Sequence, residues 1–277
     1  MAPVITLTTD FGTTDAYAAS MKGVILGLNP KATIVDISHS IKPQNVLQAA
    51  FALATACPYF PEGTIHLAVV DPGVGSRRKA IILKTTTALF VAPDNGILSY
   101  VLDEYRKRHG KPARQIPSTA ELRKLPDGLE AVAISNSEYW RHPVSSTFHG
   151  RDILAPVAAH LSLGVPMKKF GDRLEQVHVF DIPRPYKNAR GDLVGRVLHI
   201  DNFGNLITNV RSGDLPAGKV IVAVGEHQIH GLSGFYAHAR GLVAIIGSSG
   251  YMEVSLKNGS AAEFLVARMG HEIRIET

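Results

Sequence analysis

The hydrophobic positions up to about residue 170 fall into short apolar runs that alternate with longer segments of helical periodicity. The short runs have the length and the β-branched content of strands; they are VITLTT, TIVDIS, TIHLAVV, AIILKT and LFVAP. The longer segments have the spacing of helices; they are DAYAASMKGVILGLN, NVLQAAFALATACPYF, GILSYVLDEYRKRH and DILAPVAAHLSLG. This alternation predicts an α/β N-terminal domain with a largely parallel sheet flanked by helices.

Beyond about residue 186 the pattern changes to short strands separated by Gly, Asn and Asp turns, with no convincing helix. The segments are GDLVGRVLHIDNFGNLITNV, KVIVAVGEHQIHGL, LVAIIGSSGYMEVSLKNGS and EIRIET. They are typical of a small antiparallel barrel or sandwich, and we expect a C-terminal β-barrel. The proline-containing segment DIPRPYKNARG lies between the two patterns and is interpreted as a linker. We therefore expect an α/β domain over residues 1–180 and a β-barrel domain over residues 190–277.

The composition is that of an ordinary soluble protein, with 45% hydrophobic and 19% charged residues among 277. Its longest apolar stretches fall short of the roughly 20 apolar residues that a membrane span needs. The N-terminus has no basic region before its apolar run, so a secretory signal is not expected. Cys57 is the only cysteine, which excludes an internal disulfide framework and a cysteine metal cluster. A cytoplasmic location is the default expectation.

The net charge of +5 is modest, and the basic residues are scattered except in EYRKRHGKPAR, residues 104–114. We interpret this run as a solvated helix end and connector. No RNA-binding or DNA-binding signature occurs, so a nucleic-acid partner is not expected. Most of the twelve histidines need no special role, and four are interpreted as surface or strand residues; these are His66, His109, His178 and His271.

Carboxylates stand at the first junction between a predicted strand and a predicted helix. Asp10 ends the strand and Asp15 lies near the start of the helix. Ligands of α/β sheets bind beyond the carboxyl ends of the strands, so Asp10 is interpreted as a carboxylate that accepts hydrogen bonds from neighbouring ribose hydroxyls. For Asp15, a ligand role and a helix N-terminal charge favoured by the macrodipole are both open.

The stretch VVDPGVGSRRKA, residues 69–80, forces the chain to turn at Asp71, because proline removes a backbone donor and glycine allows unusual backbone angles. It has neither the Gly-Lys-Ser/Thr ending of a P-loop nor GxGxxG, so phosphate binding is disfavoured. What it offers is Asp71 at a strand end and Arg78 seven residues later. From these residues alone, a functional pair and a structural turn with a surface ion pair are equally open.

Two further turns of the first half carry polar residues. In SSTFHGRDILAPVAAHL, His149 stands on a glycine turn before a helix, a position that loops often give to catalytic groups. In the same stretch Asp152 is interpreted as a helix cap. In PDNG, Asp94 and Asn95 are interpreted mainly as turn formers.

The second half offers ligand candidates in three loops. HIDNFGNLITNV places Asp201, Phe203 and Asn205 in one tight loop, and a carboxylate, an aromatic face and a carboxamide suit an adenine or amino-acid ligand. A hairpin turn alone would also explain the Asn and Gly there. The loops GLSGFYAH and GSSGYMEVSLKNGSAA provide an exposed lining of low individual specificity, made of Phe235, Tyr236, Ser248, Ser249 and Tyr251.

Several motifs in order resemble the S-adenosylmethionine (SAM) hydroxide adenosyltransferase family, the adenosine-forming SAM hydrolases, which is related to the bacterial fluorinase and chlorinase. They are TTDFGTTDAY, VVDPGVGSRR, PDNG, FHGRD, DNFGN and SSGYMEVSLKNGSAA, and they run nearly end to end. The resemblance implies an α/β domain followed by a small β-barrel, and hydrolysis of SAM to adenosine and L-methionine. It also implies a homotrimer with active sites at subunit interfaces. It further implies that SAM is the substrate and that no cofactor or metal is required.

The resemblance implies a catalytic set of Asp71, Arg78 and His149. Arg78 is preferred to Arg77 because the arginine of the family stands seven residues after its aspartate. The leaving sulfur of SAM is already cationic and departs as a neutral thioether, so attack at the 5′ carbon needs no general acid. Water held by Asp71 and His149, with hydroxide character favoured by Arg78, could attack in line opposite sulfur.

The resemblance also assigns contacts to the substrate. It implies that Asp10 binds the ribose hydroxyls, Asp201 the methionine ammonium and Asn205 the adenine edge. The halogenases place an arginine after the serine of their last ligand loop to meet the methionine carboxylate, whereas this chain has Ser248 followed by Ser249. Carboxylate binding is therefore expected from serine hydroxyls and backbone.

Three other functions are alternatives. A nucleoside N-ribohydrolase is suggested because TTDFGTTDA resembles the calcium-binding DTDxGxDDA opening of that family, although Thr14-Asp15 replaces its paired aspartates. A chlorinase-type halogenase would use chloride as the nucleophile, but a carboxylate beside the nucleophile site would repel a halide. A non-catalytic SAM-binding or adenosine-binding module would show binding without turnover.

Overall fold

The computed structural model describes residues 2–108, 120–236 and 240–276. The chain forms two compact units, residues 1–182 and residues 183–277, and each has its own hydrophobic core. The end of the predicted basic connector, including His109, lies outside the described residues.

The first unit contains nine described strands. They are β1 (Val4–Thr9), β2 (Thr33–Ser38), β3 (Thr64–Val69), β4 (Ala80–Lys84), β5 (Ala88–Pro93), β6 (Glu121–Lys124), β7 (Glu130–Ala133), β8 (Arg173–Leu174) and β9 (Gln176–Val179). Seven of them form a sheet of order β2-β1-β3-β5-β4-β7-β8, while β6 and β9 pair separately. The first four of this order run parallel, and β4, β7 and β8 add antiparallel pairs.

Helices cover this sheet, and their described bounds are α1 (Tyr17–Leu28), α2 (Val46–Ala56), α3 (Ser99–Arg108) and α4 (Ala155–Ser162). A π-helical turn, Gly150–Leu154, leads into α4. Met21 and Ile25 of α1 are fully buried in one cluster with Leu7 of β1 and Leu67 of β3. No helix in the described ranges has the length and apolar character needed to cross a bilayer.

The predicted α/β architecture is confirmed, and all six positions of β3 are buried, as its continuous apolar run indicates. The pattern did not reveal β6 to β9, because strands of two to four residues are too short to show a period. These short strands supply the antiparallel edge of the sheet and the separate pair.

The second unit is an antiparallel, nearly closed, barrel-like sheet, which confirms the predicted C-terminal fold. Its strands are β10 (Tyr186–Lys187), β11 (Leu193–Ile200), β12 (Leu206–Arg211), β13 (Ile221–Val224), β14 (His227–His230), β15 (Leu242–Ile246), β16 (Tyr251–Leu256) and β17 (Glu272–Glu276). The order is β14-β13-β17-β11-β12-β16-β15, and β10 pairs with β11. The core contains Val210, Val222, Met252 and Ile273.

Two details of this unit differ from the sequence prediction. The predicted linker contains β10, which pairs with β11 through Tyr186 and Val194. A short helix, α5 (Ala261–Phe264), occurs where no helix was expected. The side chain of Ser260 caps it by accepting a hydrogen bond from the Glu263 backbone N–H at 3.1 Å. Four residues make too short a helix for periodicity to predict.

Candidate active site

A cavity of about 360 Å³ lies at the carboxyl ends of β1 and β3. The two strands are parallel neighbours with Thr9 opposite Val69, so the residues that follow them emerge at one edge of the sheet. The start of the π-helical turn closes another side of the cavity. The lining includes three predicted polar residues and three aromatic rings; these are Asp10, Asp71, His149, Phe11, Tyr17 and Phe148.

Asp71 and Arg78 form a buried ion pair, in which Arg78 Nη2 donates to Asp71 Oδ2. Their side chains are 7% and 10% exposed. Arg78 Nη1 also donates to the Lys79 carbonyl at 2.7 Å. Asp71 Oδ1 and Arg78 Nε are buried and have no hydrogen-bond partner among the described residues. The pair therefore keeps one acceptor and one donor with which it can bind a small ligand.

The electrostatics favour a neutral imidazole beside this ion pair. Burial lowers the pKa of His149, and the Arg78 guanidinium lowers it further, while Asp71 and Asp152 oppose the shift. Burial raises the pKa of Asp71, and the charge of Arg78 opposes that change. The imidazole of His149 makes no hydrogen bond or ion pair with any residue the structure describes. A neutral imidazole with no internal partner can accept a proton from a ligand.

The position of Asp152 corrects its interpretation as a helix cap. Asp152 lies inside the π-helical turn that follows His149, and its side chain is fully buried. Its carboxylate accepts hydrogen bonds from Arg151 and from the backbone N–H of Ser145. It therefore binds a loop and an arginine, and it does not cap a helix N-terminus.

The turn after β5 holds the Asp71 segment in place. Asn95 Oδ1 accepts from the Ile97 backbone N–H at 3.2 Å, which is the turn-forming contact that the sequence predicted. Asn95 Nδ2 also donates to the Val70 carbonyl at 2.9 Å, directly before Asp71. Asp94 is buried, and its Oδ1 accepts from the His178 backbone N–H at 2.8 Å. Its Oδ2 lies 2.7 Å from His178 Nδ1. This turn therefore connects β5 to two other segments.

The two carboxylates of the first junction have different surroundings. Asp10 lines the cavity, and its Oδ2 accepts from the Gln44 backbone N–H at 2.7 Å. Asp15 is exposed and makes no hydrogen bond or ion pair within the described ranges. The N-cap of α1 is Ala16, and its first turn contains no acidic residue. Of these two carboxylates, Asp10 lies at the cavity and Asp15 does not.

Three aromatic residues that the sequence analysis did not select form a cluster at the cavity. The Phe148 ring packs edge-on against Phe11 and Tyr17, with centroids 5.6 and 5.2 Å apart. Phe11 follows Asp10 directly and Phe148 precedes His149, and this adjacency was the only signal in the sequence. The cluster gives the cavity an apolar wall that suits a flat or aliphatic ligand.

In the second unit, the loop of residues 201–205 is held by its own polar groups. Asp201 Oδ1 accepts from the backbone N–H groups of Phe203 and Asn205, both at 2.9 Å. Asp201 Oδ2 accepts from Asn205 Nδ2 at 2.8 Å. The Phe203 ring is 76% exposed, and the side-chain oxygen of Asn205 has no partner among the described residues. The loop thus presents a ring and a carboxamide oxygen to a ligand.

Glu253, which the sequence analysis missed, adds a second carboxylate near Asp201. Burial raises the pKa of Glu253, and the charge of Asp201 raises it further. Its carboxylate lies against Gly247, where an added methyl group would approach Oε1 to 1.7 Å. The Glu253 carboxylate makes no hydrogen bond or ion pair with a described side chain or backbone group. Across the described ranges, no group of three His, Cys, Asp or Glu side chains could hold a metal ion.

The residues predicted as a ligand lining in the last loops differ in exposure, and their role in binding stays a prediction. Phe235, Tyr236 and Ser248 are exposed, and Ser249 is half-buried with a buried Oγ that has no partner in the described part of the chain. The placement of Tyr251 in an exposed turn is wrong, because Tyr251 is 6% exposed at the start of β16. The Arg211 guanidinium lies 4.4 Å from the centroid of its ring and donates to its hydroxyl at 2.6 Å.

Comparison with protein families identifies both units. Residues 5–171 match the family model described as the SAM hydroxide adenosyltransferase N-terminal domain. Residues 195–274 match the model of the C-terminal domain of the same family. The two matches follow the order and extent of the two units.

Similar proteins cover nearly the whole chain. A Thermus thermophilus protein named (R)-S-adenosyl-L-methionine hydrolase is 37% identical, with 99% of this chain and 100% of the relative aligned. A Salinispora arenicola protein of the same name is 34% identical, with 99% and 97% aligned. A fluorinase from an Actinoplanes species is 29% identical over 77% of this chain and 73% of the relative. A crystal structure of a conserved protein from Thermotoga maritima superposes with a TM-score of 0.85 at 35% identity, covering 99% and 100% of the two chains.

Proposed function

Because the chain belongs to the SAM hydroxide adenosyltransferase family, we propose that it hydrolyses SAM to adenosine and L-methionine. The observation that carries the proposal is the buried Asp71–Arg78 pair beside His149 at the cavity. This arrangement offers an unpartnered carboxylate oxygen, an unpartnered guanidinium N–H and a neutral imidazole. Together they suit the binding and deprotonation of one water molecule.

In the proposed reaction, this water attacks the ribose 5′ carbon in line with the bond to sulfur. The new bond joins oxygen to the 5′ carbon, and the carbon–sulfur electron pair leaves with sulfur as a neutral thioether. The water loses one proton to His149, while Asp71 Oδ1 orients it and Arg78 favours its hydroxide character. Holding the nucleophile and the carbon in this geometry supplies much of the rate.

The surroundings favour this charge-neutralising step. A hydroxide and a sulfonium lose their opposite charges as they react, so the transition state is less polar than the separated reactants. Asp71 and Arg78 are buried, and the aromatic wall is apolar, so we expect bound substrate to leave the reacting centre poorly hydrated. Such a site disfavours the solvated reactants relative to the transition state.

The proposal also assigns the substrate contacts. Asp10 binds the ribose hydroxyls through the carboxylate oxygen that the Gln44 N–H does not occupy. The side-chain oxygen of Asn205, which has no partner among the described residues, accepts a hydrogen bond from the adenine amino group. Asp201 binds the methionine ammonium, and a cation there would also relieve the repulsion between Asp201 and Glu253. Ser248 and Ser249 bind the methionine carboxylate.

Halogenation is the second candidate, because fluorinases are among the relatives. A halide in place of the water would lie beside the Asp71 carboxylate, which repels an anion. A neutral water molecule is not repelled by the Asp71 carboxylate when it binds, so we favour hydrolysis.

Mass spectrometry of the products formed in oxygen-18 water tests the proposal. The protein is incubated with SAM with and without chloride or fluoride, and with a chelator control. We expect adenosine that carries heavy oxygen at its 5′ position, together with methionine. A halogenated adenosine would show that the protein is a halogenase. Loss of activity on chelation would favour a metal-dependent nucleoside hydrolase. Binding of SAM without formation of any product would show that the protein is a non-catalytic binding module.

A further inference from the structure

Asp152 is the most completely bonded carboxylate near the cavity. Its side chain is fully buried, although it carries a charge. Arg151 donates to it through Nε at 2.7 Å and through Nη2 at 2.8 Å, and Arg141 Nη1 lies 3.3 Å from Oδ1. The Ser145 backbone N–H donates to Oδ2 at 2.8 Å. A buried carboxylate with this many donors fixes the position of every group that bonds it.

These bonds hold the loop that leads to His149. The Arg141 backbone N–H donates to the Asp152 carbonyl at 2.8 Å, so both ends of residues 141–145 are tied to Asp152. The next residue, Ser146, places its carbonyl against the turn between Asp71 and Arg78, 3.0 Å from where a methyl group at Gly75 would lie. Asp152 therefore fixes the loop before His149 where that loop meets the Asp71–Arg78 segment.

The same carboxylate orients the aromatic wall. Arg151, held by two hydrogen bonds from its guanidinium to Asp152, lies with Cζ 5.1 Å from the centroid of the Phe148 ring. Phe148 is the ring that contacts both Phe11 and Tyr17 at the cavity. A guanidinium over a ring restricts where that ring can move.

We propose that Asp152 is a positioning residue that holds His149 and Phe148 at the cavity through the loop of residues 141–145 and through Arg151. The inference rests on the proposed function for its effect on turnover, but its structural part can be tested without turnover. Asp152 does not line the cavity and acts through its neighbours.

The test compares Asp152→Asn with Asp103→Asn. Asp103 is also a buried carboxylate of the first unit, 2% exposed and paired with Lys107 at 3.1 Å, but it does not line the cavity. We expect Asp152→Asn to lower kcat for SAM about 10-fold to 100-fold, since small misplacements of reacting groups have effects of this size. Asp103→Asn should keep the kcat of the wild type at a comparable loss of thermal stability.

A second readout does not depend on turnover. Trp140 is the only tryptophan of the chain and directly precedes Arg141, and its indole Nε1 is buried. We expect acrylamide to quench its fluorescence more strongly in Asp152→Asn than in the wild type or Asp103→Asn. A wild-type protein that makes no adenosine would contradict the proposed function, while this local difference would still support the positioning role.

A third variant, Arg151→Gln, keeps the test decisive if Asp152→Asn does not fold. Arg151 is partly exposed, and Asp152 keeps Arg141 and the Ser145 N–H as donors, so Arg151→Gln should fold with reduced stability. The variant removes the cation over Phe148. We expect KM for SAM, or the Kd of adenosine where turnover is absent, to rise several-fold. If Asp152→Asn and Asp103→Asn had the same kcat and the same acrylamide quenching, the proposal would be overturned. The proposal would also be overturned if Asp152→Asn did not fold and Arg151→Gln had the wild-type KM for SAM or Kd of adenosine.

Discussion

The guanidinium of Arg78 bonds two partners at once, and this determines what can replace it. One terminal nitrogen donates to Asp71 and the other to the Lys79 carbonyl, while Nε has no partner among the described residues. Removing a charged group from water is costly unless it gains such bonds. A lysine ammonium is a single point donor that cannot reproduce this planar fork.

Arg78→Lys should therefore lower kcat by at least about 100-fold, the usual scale for losing a group that assists proton transfer. Arg77→Lys is the matched control, because Arg77 is adjacent and exposed. Adenosine release measured by chromatography under saturating SAM checks this. Equal activity of the two variants would remove Arg78 from the proposed catalytic set.

The pH dependence follows from the pKa of His149. Burial and the charge of Arg78 lower it below the ordinary 6.5, so His149 is a neutral base at neutral pH. As the pH falls, His149 becomes protonated and stops accepting the proton of water. We expect kcat/KM to decrease on the acid side with an apparent pKa below 6.5 and to be constant just above it. A midpoint at or above 6.5 in the pH profile would contradict the environment described for His149.

At the scale of elements, the site depends on how two loops meet. The turn after β3 carries Asp71 and Arg78, and the loop before α4 carries His149. Gly75 brings the first loop against the second, because its φ is +79° and a methyl group there would lie 3.0 Å from the Ser146 carbonyl oxygen. Gly63 has a similar φ of +81° but no atom within 4 Å of that position.

Gly75→Ala and Gly63→Ala should both lose about 1–2 kcal/mol of stability, because both place a Cβ in the left-handed region. Only Gly75→Ala should also move the His149 loop, so we expect its kcat to fall several-fold further than that of Gly63→Ala. Chemical denaturation and steady-state kinetics of the two variants check this. Equal kcat values would show that the loop contact does not affect the site.

At the scale of the whole molecule, the chain consists of an α/β unit and a barrel-like unit with separate cores. Candidate ligand residues occur in both, with Asp10 and the Asp71–Arg78 pair in the first and Asp201 and Asn205 in the second. The domain limits at residues 180 and 190 and the homotrimer implied by the family resemblance stay predictions.

Light scattering coupled to gel filtration checks the trimer. We expect a mass three times the 29.8 kDa of a single chain. We also expect that a variant made monomeric has lost its turnover, because the resemblance implies active sites at subunit interfaces. Full turnover by a variant shown to be monomeric would refute this prediction.

Much of the fold was predictable because it depends on local periodicity. The five long strands β1 to β5 and the helices α1 to α4 lie where alternating apolar runs indicated them. Asp10 and Asp71 could be selected because strand ends in α/β proteins face ligands. The spacing of Asp71 and Arg78 and the other motifs pointed to the family that the comparisons then showed.

Other features exist only once distant segments pack together. Phe11 and Phe148 are far apart in sequence, yet their rings are in contact, and no local pattern encodes that pairing. Tyr251 is buried at the start of β16, where Arg211 of β12 lies over its ring, although its glycine-rich neighbourhood indicated an exposed turn. Asp152 was interpreted as a helix cap because local propensity describes only its own helix. Its carboxylate instead bonds a loop whose position depends on the whole α/β unit. Local patterns in the chain were therefore enough to predict the family, the main elements and the residue types available for chemistry. Which side chains are buried, paired and brought to one cavity depends on tertiary packing, because those contacts join segments that are distant in the sequence.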